Sequence, residues 1–265
     1  MDSTASTAGT GCTDLGVLPS VLDGGVAGRA AIGLVVLASD QTMEHEYRRI
    51  VRQDGVAFYE ARLFNDNEIT PATLRAMQSR IAPAASLILP GMPLDVVAFG
   101  CTSATMELGE DAVFDELRKA RPDAKFTTPI TGALAAFKTL GMRRIAVLTP
   151  YSREINENVR RYIEGRGVTV SAIGTFLRTN DLDAARISPQ STRDAAIAAL
   201  KRPDVDGVFV SCTSLQVAPI AREVEDATGK PITSSNLAMA WHCLRLAGID
   251  DPQPEFGSLF ERGLG

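Results

Sequence analysis

DVVAFGCTS, residues 95–103, and DGVFVSCTS, residues 206–214, carry one pattern twice: an acidic residue, a short run of apolar strand formers, then Cys-Thr-Ser. An apolar run without alternation fits a strand covered on both faces, as in a parallel sheet flanked by helices. The chain around both copies alternates accordingly. AIGLVVLA (31–38) is followed by Met43, Tyr47, Ile50 and Val51 at helical spacing, and VAFYEARL (56–63) precedes a helix that starts near Thr70-Pro71, where proline suits the first turn. Beyond the first copy the pattern predicts a helix over about 105–120, a short strand near 126–129 and a helix over 131–140. RRIAVLTP (143–150), VTVSAIGTF (168–176), DGVFVS (206–211) and KPITS (230–234) are the later strands, with helices near 153–165, 189–201, 217–228 and 236–247. Strands separated by helices define an α/β fold with parallel sheets.

The two halves keep step. Cys101 lies 73 residues after Gly28 and Cys212 lies 71 residues after Gly141, each glycine standing just before a first strand. This predicts two similar doubly wound lobes related by a pseudo-two-fold axis, with an active site in the cleft between them. The expected division is a mobile N-terminal tail (1–28) rich in Ser, Thr, Gly and Asp, a first lobe (29–138), a second lobe (139–250) and a C-terminal tail (251–265).

Composition narrows the function. The chain has 265 residues, 45% of them hydrophobic, and a formal net charge of −5, which provides no basic field for nucleic acid. No uncharged run approaches the roughly 20 residues of a membrane span, and the opening MDSTASTAGTGCTDLG lacks the charged and apolar regions of a signal peptide, so a cytoplasmic protein is expected. The four cysteines form no C-x-x-C pair, and His45 and His242 form no H-E-x-x-H, so no metal site is signalled. Walker A, G-x-G-x-x-G and G-x-S-x-G motifs are also missing, so no nucleotide cofactor or Ser-His-Asp hydrolase is signalled.

Ligands of parallel α/β sheets collect at the carboxyl ends of the strands, where Cys101 and Cys212 both lie. The Thr102-Ser103 and Thr213-Ser214 hydroxyls and backbone N–H groups that follow them can lower a thiol pKa or bind a carboxylate. A cysteine at a strand end is often only a small buried hydrophobe, but two matched copies are hard to attribute to packing. Cys12 falls in the tail and Cys243 in the middle of a helix, and both are set aside with the two histidines. Arg29, Arg62, Arg143 and Arg144 are set aside too, as arginines near strand starts that face away from the ligand edge.

These loops, together with LASDQTME (37–44), LTPYS (148–152) and TSSNLAMAWHCLRLAGI (233–249), resemble the aspartate/glutamate racemase superfamily over about residues 29–250. Within it the chain is similar to the branch of maleate isomerases, arylmalonate decarboxylases and ectoine-utilisation A proteins. The resemblance implies an enzyme without cofactor or metal that acts beside a carboxylate, commonly as a homo-oligomer. It implies Cys101 and Cys212 as opposed acid-base groups, with Tyr151 as a phenolic donor beside Thr102, Ser103, Thr213 and Ser214. The decarboxylases keep only the second cysteine, so the presence of both favours a racemase or isomerase.

Two positions depart from the maleate isomerase pattern. Asp40 stands where those enzymes carry asparagine, and the second family asparagine falls at Asn180 or Asp181. A carboxylate there would repel a dicarboxylate and suit a nitrogen-containing substrate, although Asp40 could equally be a helix N-cap. The resemblance is therefore greatest to the ectoine-utilisation A proteins, and the expectation is a racemase or isomerase of a small, nitrogen-containing carboxylate of the ectoine-degradation or maleate type. The alternatives are a decarboxylase using Cys212 alone and a non-catalytic metabolite-binding protein.

Overall fold

The computed structural model describes residues 14–264; Cys12 lies outside them. The first half runs β1 (Ala30–Leu37), α1 (Met43–Ile50), β2 (Val56–Leu63), α2 (Pro71–Arg75), α3 (Gln78–Ser86), β3 (Val96–Phe99), α4 (Thr102–Leu108), α5 (Glu110–Ala120), β4 (Lys125–Thr127) and α6 (Pro129–Leu140). The second runs β5 (Arg144–Thr149), α7 (Arg153–Glu164), β6 (Thr169–Thr175), α8 (Asp181–Ala184), α9 (Pro189–Leu200), β7 (Gly207–Val210), α10 (Ala221–Thr228), β8 (Ile232–Ser234) and α11 (Ser235–Leu246).

Each half contributes a four-stranded parallel sheet, ordered β2-β1-β3-β4 and β6-β5-β7-β8. The second order is the first advanced by four strands, as expected of a repeated unit. β1 pairs with β2 from Ala30↔Val56 to Leu37↔Leu63 and with β3 from Ile32↔Val96 to Val35↔Phe99. Every residue of β3 and β7 is buried, which accounts for their uninterrupted apolar sequences.

The closing helices bind the halves together. α6 and α11 pack closely on each other, and α11 also touches β3 and β4 of the first sheet while α6 reaches β8 of the second. Gly132 permits this crossing: a Cβ there would lie 2.6 Å from the carbonyl oxygen of Ala238. Within the stretch expected as a C-terminal tail, two 3-10 turns, Pro254–Phe256 and Ser258–Glu261, are packed down. The buried Arg245 guanidinium holds the carbonyls of Ile249, Phe260 and Arg262, and Phe256, Leu259 and Phe260 are buried.

Two helix expectations need correction. The helix expected over 105–120 is two helices, parted at Gly109, whose φ of 87° is costly for any residue with a side chain. The helix expected from about 217 begins at Ala221, so Thr213–Ile220 is not helical as Thr102–Leu108 is. Pro219 disfavours helical backbone at Ala218, and the N–H groups of Val217 and Ala218 are taken by a side chain from the other half.

Candidate active site

Cys101 follows β3 and is the N-cap residue of α4; Cys212 follows β7 by two residues. Both thiols line one narrow pocket, with a cavity volume of about 30 Å³, at the carboxyl edges of both sheets. Its floor is Cys101, Thr102, Ser103, Tyr151, Cys212 and Thr213. Leu37, Leu74 and Met77 form an apolar wall, and Asn65, Asp66, Glu68, Ile69, Thr73 and Asp181 complete the lining. The pocket thus carries three carboxylates, and no arginine, lysine or histidine lines it.

The mouth is built where the halves meet. Ile69 donates its N–H to Thr179 O (3.2 Å), Asp181 donates to Asn67 O (3.0 Å), and Glu68 bridges Asn180 in antiparallel fashion. This pairing sets which of the two neighbouring side chains meets the pocket. Asp181 is buried and faces the pocket, whereas Asn180 is turned away, capping α8 by accepting from the Leu182 N–H at 3.0 Å. A chain of polar contacts then runs across the cleft. The Asn65 amide donates to Ser39 Oγ (2.8 Å), Ser39 donates to Asp181 Oδ2, Ser214 Oγ donates to Asp181 Oδ1 (2.8 Å), and the Ser214 N–H points at Cys212 Sγ (3.4 Å).

The other expected residues take distinct places. Tyr151 is fully enclosed within range of both thiols and of the Ser103 hydroxyl; burial, then the two thiols, push its pKa well above 10, so it stays a phenol. Ser103 Oγ lies 3.8 Å from Cys101 Sγ. Thr102 Oγ1 is spent on Ser235 Oγ (2.7 Å) at the start of α11, and Ser214 O accepts from Thr42 Oγ1 (3.0 Å). Asp40, three residues after the end of β1, lies outside the pocket's lining. Its Oδ1 accepts from the N–H groups of Thr42 (2.8 Å) and Met43 (2.7 Å), so its carboxyl serves the first N–H groups at the entry to α1, although the N-cap residue itself is Thr42. Its Oδ2 is buried without a hydrogen-bond partner. Cys243 lies against Tyr47 (3.9 Å) and His242 Nδ1 against Thr127 Oγ1 (2.7 Å), both outside the pocket.

Burial outweighs the local donors at both thiols. The sequence suggested that a helix start would lower their pKa, but desolvation pushes Cys101 and Cys212 each up to about 12. Asp181 adds to the rise at both, more so at Cys212, while N–H groups and hydroxyls offset only part of it. Both groups are therefore neutral thiols in the free protein at pH 7.

Desolvation likewise raises the Asp40 pKa from 3.8 to about 6, against the pull of the Met43 and Thr42 N–H groups. A carboxyl raised in the folded state contributes its stability below its unfolded pKa and loses it as pH rises through the folded value, a loss on the order of 3 kcal/mol. Asp40→Asn, which keeps the capping oxygen, is expected to stabilise the protein by about 1–3 kcal/mol at pH 7.5, with the gain shrinking to nothing near pH 4. Denaturant unfolding at four pH values between 4 and 7.5 checks this; a variant less stable at pH 7.5 would mean that the carboxylate is paired.

Several residues escaped the sequence reading. Glu46 of α1 is completely buried and reaches into the second half. Its Oε1 accepts from the N–H groups of Val217 (2.8 Å) and Ala218 (2.7 Å), and its Oε2 from Asn236 Nδ2 (2.8 Å), which also donates to Thr213 O (2.8 Å). Burial raises its pKa. The signal was its spacing: 46 falls on the same helix face as Met43, Tyr47 and Ile50. Asn65, Asp66 and Glu68 follow β2 at the ligand edge, where the rule that picked out the cysteines applied equally. Arg62 is a correction, since it is the seventh residue of the eight-residue β2 and so near the carboxyl end. It holds the carbonyls of Leu37, Ala38 and Asp40 (2.9–3.2 Å) and pairs with Glu44 (2.7 Å).

Two parallel-sheet lobes that each deliver a cysteine to a shared pocket define the aspartate/glutamate racemase type of protein. The sequence matches the arylmalonate decarboxylase family (Amdase) over residues 32–260, and the chain belongs to that family. It is 26% identical to the maleate isomerase of Pseudomonas putida over 242 residues, 86% of this chain and 96% of that one. It is 31% identical to the arylmalonate decarboxylase of Bordetella bronchiseptica over 137 residues, 51% and 57% of the two chains. In fold it is similar to the crystal structure of the maleate isomerase of Pseudomonas putida S16 with maleate, with a TM-score of 0.77 at 24% identity over 88% of this chain and 97% of that one. These relatives are isomerases and decarboxylases, and this chain is an enzyme of their family.

Proposed function

We propose that the protein is a racemase or isomerase, working without a cofactor, of a small carboxylate that also bears a cationic nitrogen. The observation that carries this reading is the pocket itself: one thiol from each sheet, with Asp66, Glu68 and Asp181 around them and no basic side chain. Cys101 and Cys212 are the acid-base pair. One, as thiolate, takes the proton from the carbon next to the carboxylate, forming an S–H bond and an enediolate; the other thiol gives its proton to the opposite face, and the roles exchange in the reverse direction. The enediolate oxygens are held by the Tyr151 phenol, the Ser103 hydroxyl and the backbone N–H groups of the two Cys-Thr-Ser loops.

The charge of the pocket favours the nitrogen-bearing substrate. Asp181 raises the pKa of both thiols, so an ammonium group seated against it removes part of the field that keeps them protonated. The substrate then helps form the thiolate it needs. A second carboxylate would do the reverse, adding negative charge beside three acids. The match to an arylmalonate decarboxylase supports a second reading, in which Cys212 alone protonates an enediolate left by carbon dioxide; this chain's possession of Cys101 favours the first.

The test is solvent deuterium incorporation followed by mass spectrometry, with amino-acid-like carboxylates, maleate and arylmalonates as substrates. Exchange is expected in a carboxylate bearing a cationic nitrogen, at least tenfold faster than in its uncharged analogue. Preference for maleate would overturn the charge argument, carbon dioxide release from arylmalonates would establish the second reading, and binding without any turnover would leave a metabolite-binding protein.

A further inference from the structure

The stretch before residue 32 lies outside the family match. Residues 15–26 read LGVLPSVLDGGV and form neither helix nor strand. Leu15, Val17, Leu18, Val21, Leu22 and Val26 are between 65% and 101% exposed, a density of bare large apolar side chains found nowhere else among the described residues. Such a patch on a water-exposed chain marks a contact surface.

The arm leaves the body through a groove that can receive it. Gly24–Gly28 form one wall of an open groove at the amino ends of the first sheet's strands, opposite the edge that carries the cysteines. Leu89, Met92, Leu94, Ala124, Leu246 and Ala247 supply its apolar lining, and Met92 is 59% exposed. Three of the four charged groups there are engaged: Arg121 holds the carbonyls of Ala85, Ile88 and Met92, Lys125 holds Leu246 O, and Asp95 accepts the Ala31 N–H, while Asp123 is exposed to water. A peptide lying along the apolar part of the groove therefore meets a surface whose basic side chains are already paired.

We infer that residues 15–22 of one molecule dock in this groove of a second copy, and that the exchange is reciprocal. In the single chain Gly24–Gly28 wall the groove while residues 15–22 stay outside its lining, leaving two apolar surfaces bare side by side. A two-fold arrangement covers both at once, because the same arm and the same groove occur on each copy. Position supports the exchange. At about 3.3 Å per extended residue, the stretch from Val26 to Leu15 reaches some 35 Å, enough to cross from one body to its neighbour. One eight-residue arm is small beside the roughly 1,200–2,000 Å² of a specific interface, and reciprocal exchange doubles the area that one arm would bury.

Site-directed disulfide trapping tests this in the full chain with Cys12→Ser, to remove the thiol nearest the arm. Val21→Cys is combined with Met92→Cys, and as a control with Ile173→Cys on the second sheet. Mild oxidation is expected to give a disulfide-linked dimer on a non-reducing gel for the Met92 pair, at least fivefold more than for the control. It is also expected to fall at least fivefold when Leu18→Asp and Leu22→Asp are added, with the folded mass and family activity otherwise unchanged. A fast-running cross-linked monomer would place the arm in its own groove and overturn the inference. Cross-linking equal to the control, or untouched by the two aspartates, would overturn it as well.

Discussion

Cys101→Ala and Cys212→Ala are each expected to lower turnover by about 10²–10⁴-fold, the range for loss of a positioned general acid or base. Both side chains are buried at the end of fully buried strands, and alanine fills most of the space, so the fold should survive either change. The sharper readout is isotopic. With one thiol left, a substrate whose proton faces it still exchanges that proton with heavy water, but the proton cannot be replaced on the other side. Each variant should therefore exchange one stereoisomer without converting it, and the two variants should choose opposite stereoisomers. Proton NMR in heavy water measures exchange and conversion together. If Cys101→Ala keeps near-normal turnover while Cys212→Ala abolishes it, the two-thiol mechanism is wrong.

Glu46→Ala is expected to cost about 3–5 kcal/mol of folding stability. The Val217 and Ala218 N–H groups and the Asn236 amide would lose their acceptor deep inside the protein, at about 1–3 kcal/mol for each unpaired group, partly offset by removal of a buried charge. At roughly 2–4 °C for each kcal/mol in a chain of this size, Tm should fall by about 6–20 °C. Glu46→Gln keeps an acceptor for the two N–H groups, so it should lose much less stability than the alanine variant. Its advantage should grow with pH: the raised pKa of Glu46 means that its charged form is the costly one, and that cost rises as pH passes through the folded value. Calorimetry of both variants across pH checks the order. Equal losses would show that Glu46 matters only as packing.

The strands, the repeat and the thiol pair were legible because each rests on local pattern: apolar runs, turn residues and a tripeptide that recurs at matched positions. Parallel sheets then dictate which strand end faces the ligand, so Cys101 and Cys212 could be placed together without coordinates, and the family resemblance added Tyr151. What was not legible depends on contacts between residues far apart in the chain. The choice between Asn180 and Asp181 is made by backbone pairing with Asn67 and Glu68, more than 110 positions away. The non-helical course of Thr213–Ile220 is held by Glu46, on a helix of the opposite half. The thiol pKa values went the other way from the local expectation because donors can be read in a loop sequence, whereas the depth of burial that outweighs them cannot.

The paired helices α6 and α11 bear on traffic through the enzyme. α6 belongs to the first half and α11 to the second, and their close packing ties the lobes together at the back of the cleft. At the front, the backbone hydrogen bonds of Ile69 to Thr179 and Asp181 to Asn67 join loops of opposite halves, beside the Ser39–Asp181 contact. The mouth of the pocket beside these loops is the door that a substrate meets. The door carries Asp66 and Glu68 on its frame, so the charge that selects a molecule at rest is also the charge it passes on the way in and on the way out.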